Sequence, residues 1–525
     1  MRDVVILGVG MTKFGISKLS MKEMFAEAAL EALQESQVEA KDLEGLFVGN
    51  VLGGFEEGQV NIAPFLAAEI GMKPEAPSTR FEGACASATV AIRNAVLMVR
   101  SGIHDIVMAG GTERTAIMGT PLATKTFAMG SHSEYERFAG ITFPGVFGMV
   151  AHQYAAKYGI PLENLKHSMA KVAVKNHKNG SLNPLAHFQK EISIDTVLGS
   201  PMIADPLQLF DCCPFSDGAA AVVIADAEKF KDRVEKPILV AGTGQGTAGP
   251  VYRQKDLTRM AAREASVKNA YAEAGIGPAD VDVCELHDCF TIAEVVASEM
   301  LGFFEFGTAP EAVERGDTAL DGKIPINPSG GLKAKGHPIG ATGAAQTYEI
   351  VKQLRGECGD RQVKDAEIGL VDTLGGDFST VCNLVFRRYK MGTYPLTYNE
   401  FKQGLAEGKL LGLRCSECGE GMVPPSAVCP ACGSARLERE SFAKKGSIRT
   451  FTVIRVGPEG FEAPYLIAMV ELDEGPWVVG NVVGIDAEQA GMDLINKEVT
   501  VGSRVLPLDP AESGVEGVVL TFELA

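Results

Sequence analysis

Gly336-His337-Pro338-Ile339-Gly340-Ala341-Thr342-Gly343 is the stretch on which the reading of this chain turns. Its histidine stands in a loop prepared by Asn327-Pro328-Ser329-Gly330-Gly331-Leu332-Lys333-Ala334-Lys335. So many glycines permit unusual dihedrals and close backbone approach, and an imidazole held there is placed to act as a general base. A structural turn histidine is the plainer alternative. Leu286-His287-Asp288-Cys289-Phe290 follows the strand-like run Val281-Asp282-Val283-Cys284-Glu285. It therefore falls at a strand end, where ligands of α/β sheets sit. Glu82-Gly83-Ala84-Cys85-Ala86-Ser87-Ala88 sets a thiol among small residues, just before a run of helical composition, Thr89-Val90-Ala91-Ile92-Arg93-Asn94-Ala95. A thiol at a helix N-terminus is biased toward thiolate, whereas an unplaced free cysteine is usually a small buried hydrophobe. A thiol and two imidazoles in such settings are the parts of a covalent acyl-transfer site.

Working outward, apolar strands alternate with Ala-rich helical stretches over the first 390 or so residues, which predicts an α/β architecture. A diverged repeat runs through them. Val4-Val5-Ile6-Leu7-Gly8-Val9-Gly10 opens one copy and Ile238-Leu239-Val240-Ala241-Gly242-Thr243-Gly244 the other, each leading to a helix. Further on, Cys85 and the Gly340–Gly343 loop each immediately precede a helix, so two similar halves meeting at a shared site would bring Cys85 and His337 together. Halves at 1–235 and 236–390 are expected, with residues 115–230 as a lid-like insertion in the first. Gly244-Gln245-Gly246-Thr247-Ala248-Gly249 imitates a dinucleotide fingerprint, but Pro250 follows at once and the acidic partner is missing, so a plain turn is expected.

With 525 residues the chain is too long for one core. Its net charge of −18 argues against non-specific nucleic-acid or anionic-membrane binding. No uncharged run approaches a membrane span, and neither a signal peptide nor the peroxisomal C-terminal address is expected. The 11 cysteines of so long a chain suggest reduced thiols and metal ligands, and a cytoplasmic protein is expected. Cys212-Cys213, Cys284 and Cys358 carry no motif and read as structural.

After Arg387-Arg388 the character changes. Tyr398 to Gly412 reads as a polar amphipathic helix, and Cys415-Ser416-Glu417-Cys418 and Cys429-Pro430-Ala431-Cys432 follow, each knuckle ending in glycine. Two such knuckles suit tetrahedral coordination of structural Zn2+ by Cys415, Cys418, Cys429 and Cys432, although a redox role is open to any CxxC. Evenly spaced β runs to the C-terminus fit a small five-stranded barrel. Helix plus ribbon is expected over 392–445 and the barrel over 446–525.

On these motifs residues 1 to about 390 resemble thiolases, above all those of the sterol-carrier-protein type and their archaeal and bacterial relatives. The tail resembles the rubredoxin-like zinc ribbon plus OB-fold that accompanies such thiolases, here fused. The resemblance implies a two-half, layered αβαβα fold that dimerises, and coenzyme A as cosubstrate. It implies Cys85 as nucleophile, His337 as its activator, and His287 in the oxyanion hole for the thioester enolate. A second oxyanion hole would pair the Gly376 amide with that of Cys85. Val381-Cys382-Asn383-Leu384 lacks the glycine of the usual Cys-x-Gly motif, so Cys289 takes the second acid/base role and Cys382 is expected to be packed. The tail would aid CoA binding or dock a partner enzyme. Three other readings stay open: a retro-aldol lyase of a hydroxyacyl-CoA, a decarboxylating ketoacyl synthase, and a non-catalytic CoA-binding scaffold.

Overall fold

The computed structural model describes residues 2–389, 395–434, 436–457, 462–506 and 517–525. The chain forms two compact units, Met1–Tyr389 and Lys390–Ala525. In the first, the early half supplies β1 (Val4–Met11), α1 (Met21–Ser36), β2 (Leu46–Gly49), β3 (Ser78–Phe81), α2 (Ser87–Arg100), β4 (Ile106–Arg114) and β5 (Asp217–Asp226). Between β4 and β5 lie α3 (Phe143–Tyr158) and α4 (Leu162–Ser181). The later half gives β6 (Ile238–Thr247), α5 (Ala261–Ala274), β7 (Val283–Glu285), α6 (Thr291–Met300), α7 (Thr342–Arg355), β8 (Ile368–Gly375) and β9 (Thr380–Arg388).

The nine strands run β3-β2-β4-β5-β1-β6-β9-β8-β7. Leaving out β3, each half mirrors the other about the β1/β6 junction, which Val5↔Leu239 and Ile6↔Ile238 make. β2 is parallel to β4 and β7 to β8. β1 is antiparallel to β5 and β6 to β9. Strand residues are buried on both faces, which is why they read as unbroken apolar runs. Val4, Ile6, Val222 and Ile224 share one core with Ala88, Ala91 and Ile92 of α2, Ala344 and Ile350 of α7, and Leu384 and Phe386 of β9. The alternate residues Val5, Leu7, Ala221 and Val223 pack on α1, while Leu370 and Val385 pack on α5. The layers are thus α–β–α–β–α, with α2 and α7 in the middle.

Repeated glycines set the spacing of the outer helices. A Cβ at Gly8 or Gly10 would lie 2.2 or 2.0 Å from the carbonyl oxygen of Ala32 or Ala28 in α1. At Gly242, Gly244 and Gly246 it would meet the carbonyls of Ala270, Ser266 and Ala262 in α5 at 2.2, 1.8 and 2.0 Å. The expected turn at Gly244–Gly249 is therefore corrected: Gly244 and Gly246 are positions of strand β6 over which a helix lies. The insertion also ends earlier than 230, because Asp217–Asp226 is the fully buried strand between β4 and β1. Its alanines fit a strand covered on both faces.

In the second unit the expected helix is shorter than Tyr398 to Gly412. Thr397 caps α8 (Tyr398–Ala406) in a capping box with Glu400, the chain turns at Gly408 with φ +75°, and β10 (Leu410–Cys415) begins. β10 lies between the short strand Gly421–Met422 and β11 (Leu437–Phe442). Strands β12 (Lys445–Ile454), β13 (Tyr465–Leu472), β14 (Trp477–Val483), β15 (Glu498–Leu506) and β16 (Gly517–Leu524) close a barrel in the order β12-β13-β14-β16-β15. Among the described residues no helix is long and apolar enough to cross a membrane.

Candidate active site

Cys85, His287 and His337 come together from three places in the first unit, with one donor atom of each within 4.8 Å of the others. Cys85 lies in the 3-10 turn Ala84–Ala86 that runs into α2. The turn is tight: Ala84 takes φ +49°, a costly conformation for a residue with a Cβ. It is held by Ser87, whose hydroxyl donates to the Ala84 carbonyl at 2.6 Å and accepts from the Gly83 amide at 2.9 Å. The end of β8 crosses this turn so closely that a Cβ at Gly375 would lie 2.0 Å from the Gly83 oxygen. That crossing delivers the next residue, Gly376 at φ +63°, whose amide, like that of Cys85, is near enough to the Cys85 sulfur to favour its thiolate.

The helix-start setting predicts a thiolate, and burial opposes it. Cys85 as a residue is half-buried, yet its thiol is enclosed, and burial pushes it up to about 12 against the pull of the two amides. Burial likewise holds the His337 imidazole down to about 3. Both shifts favour a neutral thiol beside a neutral imidazole, from which the proton moves during attack.

His337 is set up to take it. Its Nδ1 lies 2.6 Å from the Thr342 hydroxyl, and that hydroxyl spends its only hydrogen on the Pro338 carbonyl at 2.9 Å. Thr342 must then accept from His337, which assigns the hydrogen to Nδ1 and leaves the lone pair on Nε2. The His287 ring stands nearly perpendicular to it, at 80° and 5.0 Å between centroids. Burial holds His287 well below the ordinary histidine value, and the nearby His337 and Arg263 push the same way. Its Nδ1 is buried and has no hydrogen-bond partner among the described residues. Arg263 is itself fully buried in a two-bond pair with Asp372, at 3.0 Å on each side.

The segment after His287 is anchored by Asp288. This carboxylate accepts from the Leu332 amide and the Asn176 side chain, both at 2.7 Å, tying the loop before α6 to the glycine loop before His337. A Cβ at Gly331 would meet it at 2.4 Å.

Cys289 is buried beside the same site. Burial raises its thiol well above the ordinary range, with Cys213 and Cys85 close enough to add to the shift. Cys382 packs with Ala86 and Val90 on the far side of the Cys85 turn. The sequence gives no hint that Cys213 lies opposite Cys289. Cys212 bridges Phe290 antiparallel and the Cys213 amide donates to the Cys289 carbonyl at 3.0 Å. Cys213 and Cys289 are therefore directly opposed, on one face of the pairing. The wall beside them is aromatic: Phe147 of α3 stacks on Phe290 at 4.5 Å and meets Phe378 edge-on at 5.1 Å. The insertion thus enters the core at α3.

Known proteins resemble this chain over both units. Residues 4–228 match the thiolase N-terminal domain and 244–388 the thiolase C-terminal domain. The chain belongs to the thiolase family. An acetyl-CoA acetyltransferase of Methanothermobacter thermautotrophicus is 43% identical over 390 residues, 74% of this chain and 100% of that protein. Human sterol carrier protein 2 is 33% identical over 486 residues, 89% of this chain and 85% of that protein. This thiolase is accordingly an acyltransferase. Residues 402–438 match the rubredoxin-like zinc ribbon of ChsH2 and 440–506 its C-terminal OB-fold domain. Two solved structures share the fold. The Ltp2–ChsH2 aldolase covers 74% of this chain and 98% of its own at TM-score 0.63 and 24% identity. A monomeric SCP2-thiolase-like protein of Mycobacterium smegmatis covers 99% of both at TM-score 0.57 and 18% identity.

The four ribbon cysteines fit zinc. Their Sγ atoms lie within 4.8 Å of one another, with Cys415–Cys432 at 3.6 Å and Cys418–Cys429 at 3.4 Å. Tetrahedral Zn–S bonds of about 2.3 Å need sulfurs about 3.8 Å apart. Each knuckle folds alike: the Gly419 amide donates to the Cys415 carbonyl at 2.9 Å and that of Gly433 to Cys429 at 2.8 Å. Both glycines take the left-handed φ this requires, +78° and +76°.

Proposed function

We propose that this thiolase cleaves or forms 3-ketoacyl-CoA through an acyl group carried on Cys85. The observation that carries the reading is the meeting of the Cys85 thiol with two neutral imidazoles, one with its tautomer fixed by Thr342. In cleavage, His337 Nε2 takes the Cys85 proton as sulfur adds to the 3-keto carbon. The amides of Cys85 and Gly376, next to that sulfur, receive the developing oxyanion. The Cα–Cβ bond then breaks, leaving acyl-Cys85 and a thioester enolate whose oxygen faces His287. Cys289 gives the enolate carbon its proton. The Cys289 thiolate so formed deprotonates the thiol of incoming coenzyme A, which attacks acyl-Cys85 and expels its thiolate, and His337 returns its proton to that sulfur. Condensation is the same path reversed.

Family matches at 4–228 and 244–388 support taking 1–235 and 236–390 as the two halves, and those at 402–438 and 440–506 support a ribbon over 392–445 and a barrel over 446–525. Zinc in the ribbon is structural in this reading, since four thiolates leave no open position. The tail helps hold coenzyme A or docks a partner enzyme. Residues 390–525 removed, the rest should fold with weakened CoA affinity or lost complex formation, and unchanged kinetics and assembly would reduce the tail to a passive appendage. A homodimer is supported by β3, an edge strand whose residues stay partly exposed, a natural pairing surface. Likeness to the Ltp2–ChsH2 aldolase is one of fold, and Cys85 between His287 and His337 favours acyl transfer over the lyase. The deciding experiment is incubation with acetoacetyl-CoA and peptide mass spectrometry, which should find acetyl on Cys85. CoA-dependent turnover that survives in Cys85→Ala would revive the lyase.

A further inference from the structure

We propose that Cys85, His287 and His337 also form a reversible zinc site, distinct from the ribbon, whose occupancy switches the nucleophile off. Thiolate plus two imidazoles is a borderline-soft donor set that suits Zn2+ over the hard cations. Three protein ligands with an open fourth position is the arrangement of exchangeable zinc, whereas the ribbon is closed.

Three observations carry the site. The donor atoms lie within 4.8 Å of one another. A tetrahedral ion with Zn–S of 2.3 Å and Zn–N of 2.1 Å needs them roughly 3.4–3.6 Å apart, so closure asks for an approach of at most about 1.4 Å. Second, His337 already has the tautomer of a ligating imidazole: Nδ1–H is engaged by Thr342 at 2.6 Å, the outer hydrogen bond that ligating histidines make, and Nε2 keeps its lone pair. Third, His287 is 1% exposed and its Nδ1 has no partner among the described residues, an unusual state for a buried polar atom. The two rings stand at 80° to each other, and a nitrogen of each lies within 4.8 Å of the other's. The fourth position falls to water or to a thiol, and Cys289 and Cys213 line the same pocket.

On binding, the Cys85 S–H proton leaves to solvent and a Zn–S bond takes its place. No redox change is involved. The ion occupies both the nucleophile and the Nε2 that would activate it, so metal and acyl group exclude each other. This inhibitory consequence rests on the thiolase reading, while occupancy does not.

The test uses the full chain with its ribbon zinc in place, dialysed against buffered free Zn2+ and counted for metal. Wild type should take two equivalents, and Cys85→Ser and His337→Asn one. At free zinc 100 times the dissociation constant, iodoacetamide labelling of Cys85 should slow roughly 100-fold and turnover of acetoacetyl-CoA with CoA should fall in parallel. Dipicolinate should restore both while the ribbon equivalent stays bound. Wild type stopping at one equivalent, a second equivalent that persists in Cys85→Ser, or labelling indifferent to zinc would overturn the proposal. The labelling arm needs no variant, so a misfolded mutant does not leave the question open. A chain that binds the second zinc at Cys85 but shows no metal-free turnover would uphold the site and sink the activity.

Discussion

Replacing Thr342 by valine removes one oxygen and nothing of similar size, and the structure says what that oxygen does. Thr342 is 1% exposed at the start of α7, so no bulk water can stand in for it. Its hydroxyl accepts from His337 Nδ1 at 2.6 Å and donates to the Pro338 carbonyl at 2.9 Å. In Thr342→Val the buried Nδ1–H loses its acceptor, which costs about 1–3 kcal/mol. The ring escapes that cost by moving its hydrogen to Nε2, and then it cannot accept the Cys85 proton. Either way the penalty falls on the step in which His337 acts. At about 1.36 kcal/mol per tenfold in rate, kcat/KM for CoA-dependent cleavage of acetoacetyl-CoA should drop roughly 5- to 150-fold. Single-turnover acylation of Cys85 should slow by the same factor, and Thr342→Ser should recover most of the loss. A Thr342→Val enzyme within twofold of wild type, or a serine variant as slow as the valine one, would refute the tautomer argument.

Other expectations follow from the same geometry. Cys289→Ala should lose about 10²–10⁴ in turnover yet still accept acetyl on Cys85, whereas Cys382→Ala should turn over nearly normally, both read by steady-state kinetics and mass spectrometry. If Cys213→Ala proves the crippled variant, the acid/base role belongs to the opposing thiol. With the Cys85 thiol pushed up to about 12, its thiolate fraction, and hence iodoacetamide labelling of the metal-free enzyme, should rise about tenfold per pH unit from pH 6 to 9. A plateau beginning near pH 6 would show a preformed thiolate instead. Cys429→Ser, at a buried ribbon ligand, should lose the ribbon equivalent of zinc and expose 410–442 to limited proteolysis, with 2–389 as resistant as before.

Much of this site was legible because its chemistry sits in short motifs: His287 and Cys289 share one, His337 and Thr342 another. The halves were legible because the glycines that admit α1 and α5 recur at equivalent strand positions. What resisted reading were facts of long range. Cys213 faces Cys289 because its segment pairs with 289–290, and no spacing within Cys212-Cys213 reports a partner that far along the chain. Gly218-Ala219-Ala220-Ala221 looked like part of an insertion because alanines in a row suit a helix as well as a strand covered on both faces. Ionisation of Cys85 is a different case. A helix start argues for thiolate, but desolvation is a property of the finished pocket, and here it outweighs two amides.

Why Cys85 and His337 meet at all follows from the middle layer. Each precedes the N-terminus of a central helix, α2 or α7, and those two ends are pressed together. A Cβ at Gly343 would lie 1.8 Å from Thr89 Oγ1, so only glycine lets α7 come that close. The Thr89 hydroxyl donates to Thr373 Oγ1 at 2.7 Å, and Thr373 in turn to Gln346 Oε1 at 2.8 Å. This buried chain runs from α2 through β8 to α7 and spans both halves of the repeat. Since β8 also delivers Gly376, the same three elements fix the nucleophile, the base and the oxyanion amide. The pocket is thereby built on rigid secondary structure, and its precision derives from the packing of the two halves on each other.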